Sequence, residues 1–394
     1  MLGFSLLDII LLLALLFYFI TGLRNGLVVT LGGIVGFVAG AVAAFFAIPL
    51  VTEWVTDGGW RLTAVIATIV VLVLGGHALG AALGGNIRRW LNFPPLRFLD
   101  RLLGGAVNLA VSALVMSVLA FSINTLGVPF LSQQITSSKV LSSIEEATPD
   151  RVKTWTAEMR SFTLAEGLPT ILDSAAPDTV VPPEQALSSE ALQASSASVV
   201  KITGTAYQCG QNQTGSGFVV ADDRVVTNAH VVAGVSRPVV QVPGGGALPG
   251  DVVYFDSARD LAVLAVDNLD AEPIPLGEVL PDGTTAAFAG YPAGGPFRLQ
   301  AANVERLSDV SVRNIYGTSP EVVEVYTLAA NVQQGNSGGP LLDVDGQVAG
   351  VIFAKTTGDQ PIGYALSLAE LGPVAEAAAG YSDPVSPGQC ISGE

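Results

Sequence analysis

Four long apolar stretches, at about Ile9–Leu23, Leu27–Ile48, Leu62–Leu83 and Leu102–Leu126, fill the first third of the chain. Each lies near the roughly 20 residues that a helix needs to cross a bilayer core. The pattern then turns polar: Ser132–Ser198 is dominated by Ser, Thr, Glu, Gln and Pro. Within it Val140, Ile144, Val152, Trp155 and Met159 are spaced for one or two short amphipathic helices. Ala175–Ser198, with Pro177, Pro182 and Pro183, reads as an extended tether. From Val199 short β-rich runs alternate with Gly, Pro and Asp: Val199–Ile202, Gly217–Val220, Arg224–Thr227, Val239–Val242 and Leu261–Val266. Ala286–Ala289, Glu324–Thr327, Gln347–Phe353 and Gly363–Leu366 follow. Many short strands at this spacing predict two small antiparallel barrels. The expected plan is a four-helix membrane bundle over 1–130, a linker with short helices over 131–198, and an all-β domain over 199–394.

The loops between the apolar runs orient the bundle. Arg24 lies between the first two, and Arg88, Arg89, Arg97 and Arg101 between the last two, whereas the middle loop sets Arg61 against Glu53 and Asp57. The positive-inside rule puts the first and third loops in the cytoplasm, so both termini and everything after Leu126 face outward. The first run has no basic region ahead of it and no small-residue cleavage site behind it, unlike a cleavable signal peptide. Gly32, Gly36 and Gly40 in the second run, and Gly76, Gly80 and Gly84 in the third, repeat every four residues, a spacing that lets helices approach closely. His77 lies inside the third run, either as a functional group or as an imidazole bonded to a neighbouring helix. Asp8, near a membrane edge, is expected to be solvated.

Composition supports a membrane part joined to a soluble one. Half of the 394 residues are hydrophobic, 13% are charged, and mean hydropathy is +0.53, too apolar for one soluble globule. Residues 1–129 carry six Arg/Lys against four Asp/Glu (+2) and the rest 12 against 30 (−18), so the negative charge of the chain, −16 in all, sits on the soluble part. Such acidity argues against nucleic acid as a partner. The two cysteines, Cys209 and Cys390, lack metal-site spacing, and neither a metal nor another cofactor is implied. Facing an oxidising compartment they read as a disulfide closing about 180 residues, worth roughly 5 kcal/mol by loop entropy; otherwise they are two unrelated thiols.

The chemistry gathers in three segments. In Gly335-Asn336-Ser337-Gly338-Gly339-Pro340 a serine sits among glycines, on a turn open enough for the N–H groups of Gly335 and Ser337 to meet at one oxyanion. Thr227-Asn228-Ala229-His230 holds the one histidine outside the hydrophobic third, and Asp260 opens the run Leu261-Ala262-Val263-Leu264. A hydroxyl needs a base to become a nucleophile, and the base a carboxylate to hold its tautomer. His230 is the candidate base, Asp260 its orienting carboxylate and Ser337 the nucleophile.

These segments, in the order His, Asp, Ser, resemble the chymotrypsin-like serine proteases and most closely their HtrA-like bacterial branch, from about Ser198 to Leu368. The resemblance implies a double β-barrel of the chymotrypsin type with the cleft between barrels, His230 and Asp260 coming from the first and Ser337 from the second. It also implies protein or peptide substrates. Digestive-type relatives carry aspartate before the serine, where it pairs with a newly cut N-terminus; here Asn336 stands there and no activation sequence of that kind precedes it. The position six before the serine, often the floor of the specificity pocket, is Asn331, which argues against a strict Lys/Arg preference. Gly363, Tyr364 and Ala365 are expected to line that pocket and to pair with extended substrate backbone.

The first third resembles the CvpA-type membrane family through its hydropathy and its Gly22-Leu23-Arg24-Asn25-Gly26 loop. A four-span anchor, an acidic protease and no PDZ-like segment together are similar to a group of actinobacterial periplasmic proteases. That similarity implies the cell envelope as the site of action, peptidoglycan hydrolases as substrates, and a role in acid stress. Two other readings compete: a protease-shaped module that grips peptides without cutting, and a transport-like bundle for which the outer domain is a sensor.

Overall fold

The computed structural model describes residues 5–54, 58–89, 94–124, 131, 134–135, 138–149, 152, 181–183, 189–206, 208, 211–243, 246–356 and 360–391. Two compact units divide the chain, Met1–Ser117 and Val118–Glu394.

The first unit is built of three long helices, α1 (Leu6–Trp54), α2 (Gly58–Arg88) and α3 (Pro94–Asn124, whose last turns pass the unit boundary), where four separate spans were expected. All three are long and apolar enough to cross a membrane. α1 covers the first two expected runs, and the expected loop between them shrinks to one non-helical residue, Gly26 (φ 76°, ψ 169°). A straight helix of 49 residues would span about 74 Å, more than twice the roughly 30 Å of a bilayer core.

The break at Gly26 is held by charge. Asp100 Oδ1 accepts the Val28 N–H at 3.1 Å, satisfying a donor freed by the break. Arg88 pairs with Asp100 Oδ2 at 2.8 Å and donates to the Arg24 carbonyl at 2.9 Å. The glycine series face each other as their spacing predicts: a Cβ on Gly36 would lie 2.1 Å from the Gly76 carbonyl oxygen, and one on Gly32 2.4 Å from that of Gly80. His77 Nδ1 lies 3.1 Å from the Gly33 carbonyl oxygen, the inter-helix contact of the plainer reading. Asp8, expected to be solvated, is instead buried and accepts the Ser5 N–H at 2.9 Å, a helix-start cap. Phe45, Val71 and Leu79, each about two-thirds exposed or more, leave apolar surface on the outside of the helices.

In the second unit α4 (Lys139–Ala147) matches one predicted amphipathic helix; the Trp155 and Met159 part of that expectation lies outside the described residues. The tether expected over 175–198 ends instead in a helix, α5 (Glu190–Ser196). Ser189 caps it by accepting the Leu192 N–H at 3.1 Å, and Leu192 is fully buried. Ser195 Oγ donates to the Gly346 carbonyl at 2.6 Å. Burial of one leucine and two serine bonds are local gains that a composition average hides.

Seven strands form an antiparallel sheet: β1 (Val199–Ala206), β2 (Gln211–Ala221), β3 (Arg224–Thr227), β4 (Val239–Gln241), β5 (Ala247–Pro249), β6 (Asp251–Asp256) and β7 (Leu261–Ala265), in the order β5-β4-β1-β2-β3-β7-β6. Six more close into a barrel: β8 (Thr285–Gly290), β9 (Arg298–Arg313), β10 (Pro320–Ala329), β11 (Pro340–Leu342), β12 (Val348–Lys355) and β13 (Ile362–Ser367), in the order β10-β13-β12-β11-β8-β9. The expected double barrel is therefore one closed barrel and one sheet with two edges, β5 and β6.

Strand β1 is buried on both faces because each face is covered. Val200 and Ile202 lie in the core of the sheet, whereas Val199 joins a larger core shared with the barrel residues Ala289, Val351 and Tyr364. That shared core clamps sheet to barrel and fixes the seam where the candidate residues meet. α6 (Ala229–Val232) follows β3, and α7 (Leu368–Ala377) follows β13, capped by Ser367.

Candidate active site

His230 sits in α6, buried at 7% exposure, just beyond β3. Asp260 precedes β7 in the left-handed region (φ 57°), a conformation that Asp tolerates better than most residues. That geometry turns both carboxylate oxygens onto one residue: Oδ2 lies 2.7 Å from His230 Nδ1, and Oδ1 accepts the His230 backbone N–H at 2.8 Å. Asn228, fully buried, donates from Nδ2 to the Asp260 carbonyl at 2.8 Å. Ring and carboxylate are thus held by the side chain, the backbone and a neighbouring amide.

Ser337 lies in the turn between β10 and β11, at 2% exposure. Its carbonyl accepts the Ser216 N–H at 2.8 Å. A Cβ on Gly215 would touch Val231 and the Ser337 carbonyl, and one on Gly338 would lie 2.3 Å from Thr227 Oγ1 and 3.1 Å from the Asn228 nitrogen. The serine turn therefore packs on the residues flanking His230. Ser337 Oγ is buried and has no hydrogen-bond partner among the described residues. The His230–Asp260 pair is assembled; the bond between Ser337 and the imidazole is not. A free site commonly tightens that bond only when substrate arrives.

The Gly335 turn has the geometry an oxyanion needs. Asn336 N–H donates to the Gln333 carbonyl at 3.0 Å, and Gly335, third in that turn, has φ 92°, as in a type II turn. The Gln334 carbonyl accepts the Ala293 N–H at 2.6 Å. In a trans peptide the following N–H points the opposite way, so Gly335 N–H is turned away from Ala293. No described residue takes a hydrogen bond from Gly335 N–H or Ser337 N–H. Two such free donors can hold a developing negative charge.

Ser216 and Thr227 were not legible as site residues. Ser216, fully buried, donates to the Gly335 carbonyl at 2.7 Å and accepts the Tyr291 N–H at 2.9 Å. Thr227 Oγ1 donates to the Ser216 carbonyl at 2.7 Å. The available signal was the box Gly215-Ser216-Gly217, a second serine between glycines.

Two expectations about the specificity pocket need correction. Asn331 is exposed, and its neighbour Val332, 4% exposed, fills the space where a Cβ on Gly363 would sit. An apolar residue, not an amide, therefore packs there. Gly363, Tyr364 and Ala365 pair on one side with β10 and on the other with β12, so their backbone has no edge left for substrate. The open edge belongs to β12. It pairs with β11 only as far as Val351, and Ile352 is taken by Gly338 and Gly339. Phe353–Lys355 have no strand beside them on that side among the described residues. Cys390 lies beside Gly234, two residues beyond α6, and Cys209 falls outside the described residues.

Fold and site together define a trypsin-like serine protease joined to a membrane domain. A trypsin-like peptidase domain model matches residues 215–351, and a Colicin V production protein model matches residues 7–149. The chain belongs to the membrane-anchored serine proteases that combine these two domains. The serine protease Rv3671c (MarP) of Mycobacterium tuberculosis is 34% identical over 382 residues, covering 95% of this chain and 95% of that protein. The crystal structure of the Rv3671c protease, active form, shares 35% identity with a TM-score of 0.52, covering 57% of this chain and all of that one. The putative serine protease HhoB of Synechocystis is 35% identical over 166 residues, 41% of this chain and 39% of that protein.

Proposed function

We propose that this chain is a serine endopeptidase that cleaves cell-envelope proteins outside the membrane, through an acyl-enzyme formed on Ser337. The observation that carries the reading is the doubly bonded His230–Asp260 pair packed against a serine turn with two unused N–H donors. His230 removes the Ser337 Oγ proton as that oxygen attacks the scissile carbonyl. The carbonyl oxygen takes the electron pair and rests on Gly335 N–H and Ser337 N–H. Collapse breaks the C–N bond, and the imidazolium returns its proton to the leaving amine. Water, deprotonated by the same imidazole, then releases the acid and frees Ser337. Asp260 holds the ring and stabilises its positive form.

Substrate backbone would pair with the Phe353–Lys355 edge of β12. Val332 beside Gly363, with no charged group at that contact, favours an apolar side chain at the cut. The arginines of the first and third loops support an outward-facing protease domain, as does Cys390, which is disulfide-bonded in a chain whose other cysteine is Cys209. Residues 1–130 then anchor, 131–198 connect and 199–394 cut. Similarity to Rv3671c supports a role in the envelope, where peptidoglycan hydrolases and acid stress are the first substrate class and condition to try. Full-length protein in micelles should label with a fluorophosphonate at neutral pH and lose that label in Ser337→Ala. A wild type that stays unlabelled refutes the enzyme reading. Impermeant protease added to intact cells should degrade the outer domain, and its protection would reverse the topology.

A further inference from the structure

Lys201 is a lysine where a strand core is expected. It lies in β1 at 6% exposure, directly across the ladder from Ser216, so both side chains leave the sheet on the same face. Both reach the same turn of the barrel, Tyr291–Gly295. Lys201 Nζ donates to the Gly294 carbonyl, and Ser216 Oγ accepts the Tyr291 N–H at 2.9 Å. The turn is strained: Ala293 has φ 52° and ψ 27°, the left-handed region that a residue with a Cβ disfavours. Strain of this kind persists where the surroundings over-determine it. Here it has a use, because Ala293 N–H takes the Gln334 carbonyl at 2.6 Å and thereby sets which way Gly335 N–H points. A Cβ at Gly335 would lie 2.4 Å from the Tyr291 carbonyl oxygen and 2.9 Å from the Ala293 nitrogen, so the two turns are in direct contact.

We propose that Lys201 is a positioning residue for the oxyanion site: its ammonium group on the Gly294 carbonyl locks the strained Ala293 turn, and that turn holds Gly335 N–H toward Ser337. The inference rests on the serine-protease reading of the same site. It gives a protease without the aspartate ion pair of digestive relatives another buried cation for the same task. A helix or strand core gains nothing from a lysine that burial alone would recommend; the carbonyl it reaches is what makes the cation tolerable.

The test uses the full-length protein in micelles and a peptide substrate. Lys201→Met keeps most of the stem and removes the donor. It should lower kcat about 10- to 100-fold, less than the 10²–10³ of losing an oxyanion donor outright, with KM held within about threefold. Affinity for a peptide boronate, whose tetrahedral adduct mimics the intermediate, should fall with kcat/KM. The midpoint of the pH–rate profile should not move, since His230 and Asp260 are untouched. Ala293→Gly in the Lys201→Met background should restore part of kcat, because glycine adopts the left-handed region freely. A merely structural lysine predicts none of this rescue. A kcat within twofold of wild type, or a loss confined to KM, overturns the proposal. Should Lys201→Met not fold, Lys201→Gln, with a neutral donor of shorter reach, carries the same test with the same two refuting outcomes. Failure of wild-type labelling sinks the enzyme reading itself, whereas a labelled, active wild type with an indifferent Lys201→Met sinks only this inference.

Discussion

Replacing Ser216 by alanine removes one oxygen and two hydrogen bonds, both in a fully buried place. Tyr291 N–H loses its acceptor and the Gly335 carbonyl its donor. A buried backbone group left unpaired costs about 1–3 kcal/mol, so the pair should cost roughly 2–4 kcal/mol once small shifts recover part of it. For a domain of this size each kcal/mol moves the melting midpoint by about 2–4 °C, so a fall of about 5–15 °C is expected. The shifts that recover stability are damaging in another way: they move the turn that carries Gly335. Activity should therefore fall beyond what unfolding explains, by about 10-fold or more in kcat at a temperature where the variant is folded. Thermal melting of the full-length protein in micelles, followed by steady-state peptide cleavage well below the midpoint, measures both. A Ser216→Ala variant that melts within about 2 °C of wild type and keeps kcat within twofold would refute the assignment of this serine as a tie between sheet and oxyanion turn.

Asp260→Asn keeps the size of the side chain but can no longer accept from both His230 donors with full charge, and kcat should drop by about 10⁴, the scale of that change in a serine-protease triad; a loss under tenfold would deny Asp260 its place. Gly36→Ala sets a methyl 2.1 Å from the Gly76 carbonyl oxygen and should lower the yield of folded protein in micelles, while Gly75→Ala, whose Cβ meets open space, should not; equal yields would break the close-approach account of α1 and α2. Tyr254 is pushed up to about 12, first by burial and then by Asp256. Because its folded value lies above the ordinary 10, its neutral form favours the folded state below pH 10, and that contribution fades as pH climbs from 10 through 12. Denaturation midpoints at pH 9, 10 and 11 should fall less steeply in Tyr254→Phe than in wild type, and parallel curves would count against it.

Much of this protein was legible along the chain because the signal is local or strongly periodic. Apolar runs long enough to span a bilayer, glycines every fourth residue and short valine-rich strands each report a single element with no need of a partner. The missed strands have the opposite character. β9 carries Arg298, Glu305, Arg306 and Asp309 through sixteen residues, most of them only partly buried, so no apolar run marks it. β11 is three residues that begin with a proline, and only closure of the barrel makes it a strand. The loop after Leu23 reads as a turn by composition, yet one glycine and the Asp100 carboxylate from another helix are enough to break and hold α1.

The same division runs through the site. Residue types and their order named His230, Asp260 and Ser337, because nucleophile, base and carboxylate chemistry narrows the choice to few side chains. No pattern in sequence could announce that Lys201 and Ser216, opposed across one ladder, reach one turn 93 and 75 residues away, or that Val332 displaces Asn331 at Gly363. Those contacts exist only because two β bodies share one core, and which backbone groups that packing leaves in need of a partner is decided by the closed barrel and the sheet beside it, not by any stretch read alone.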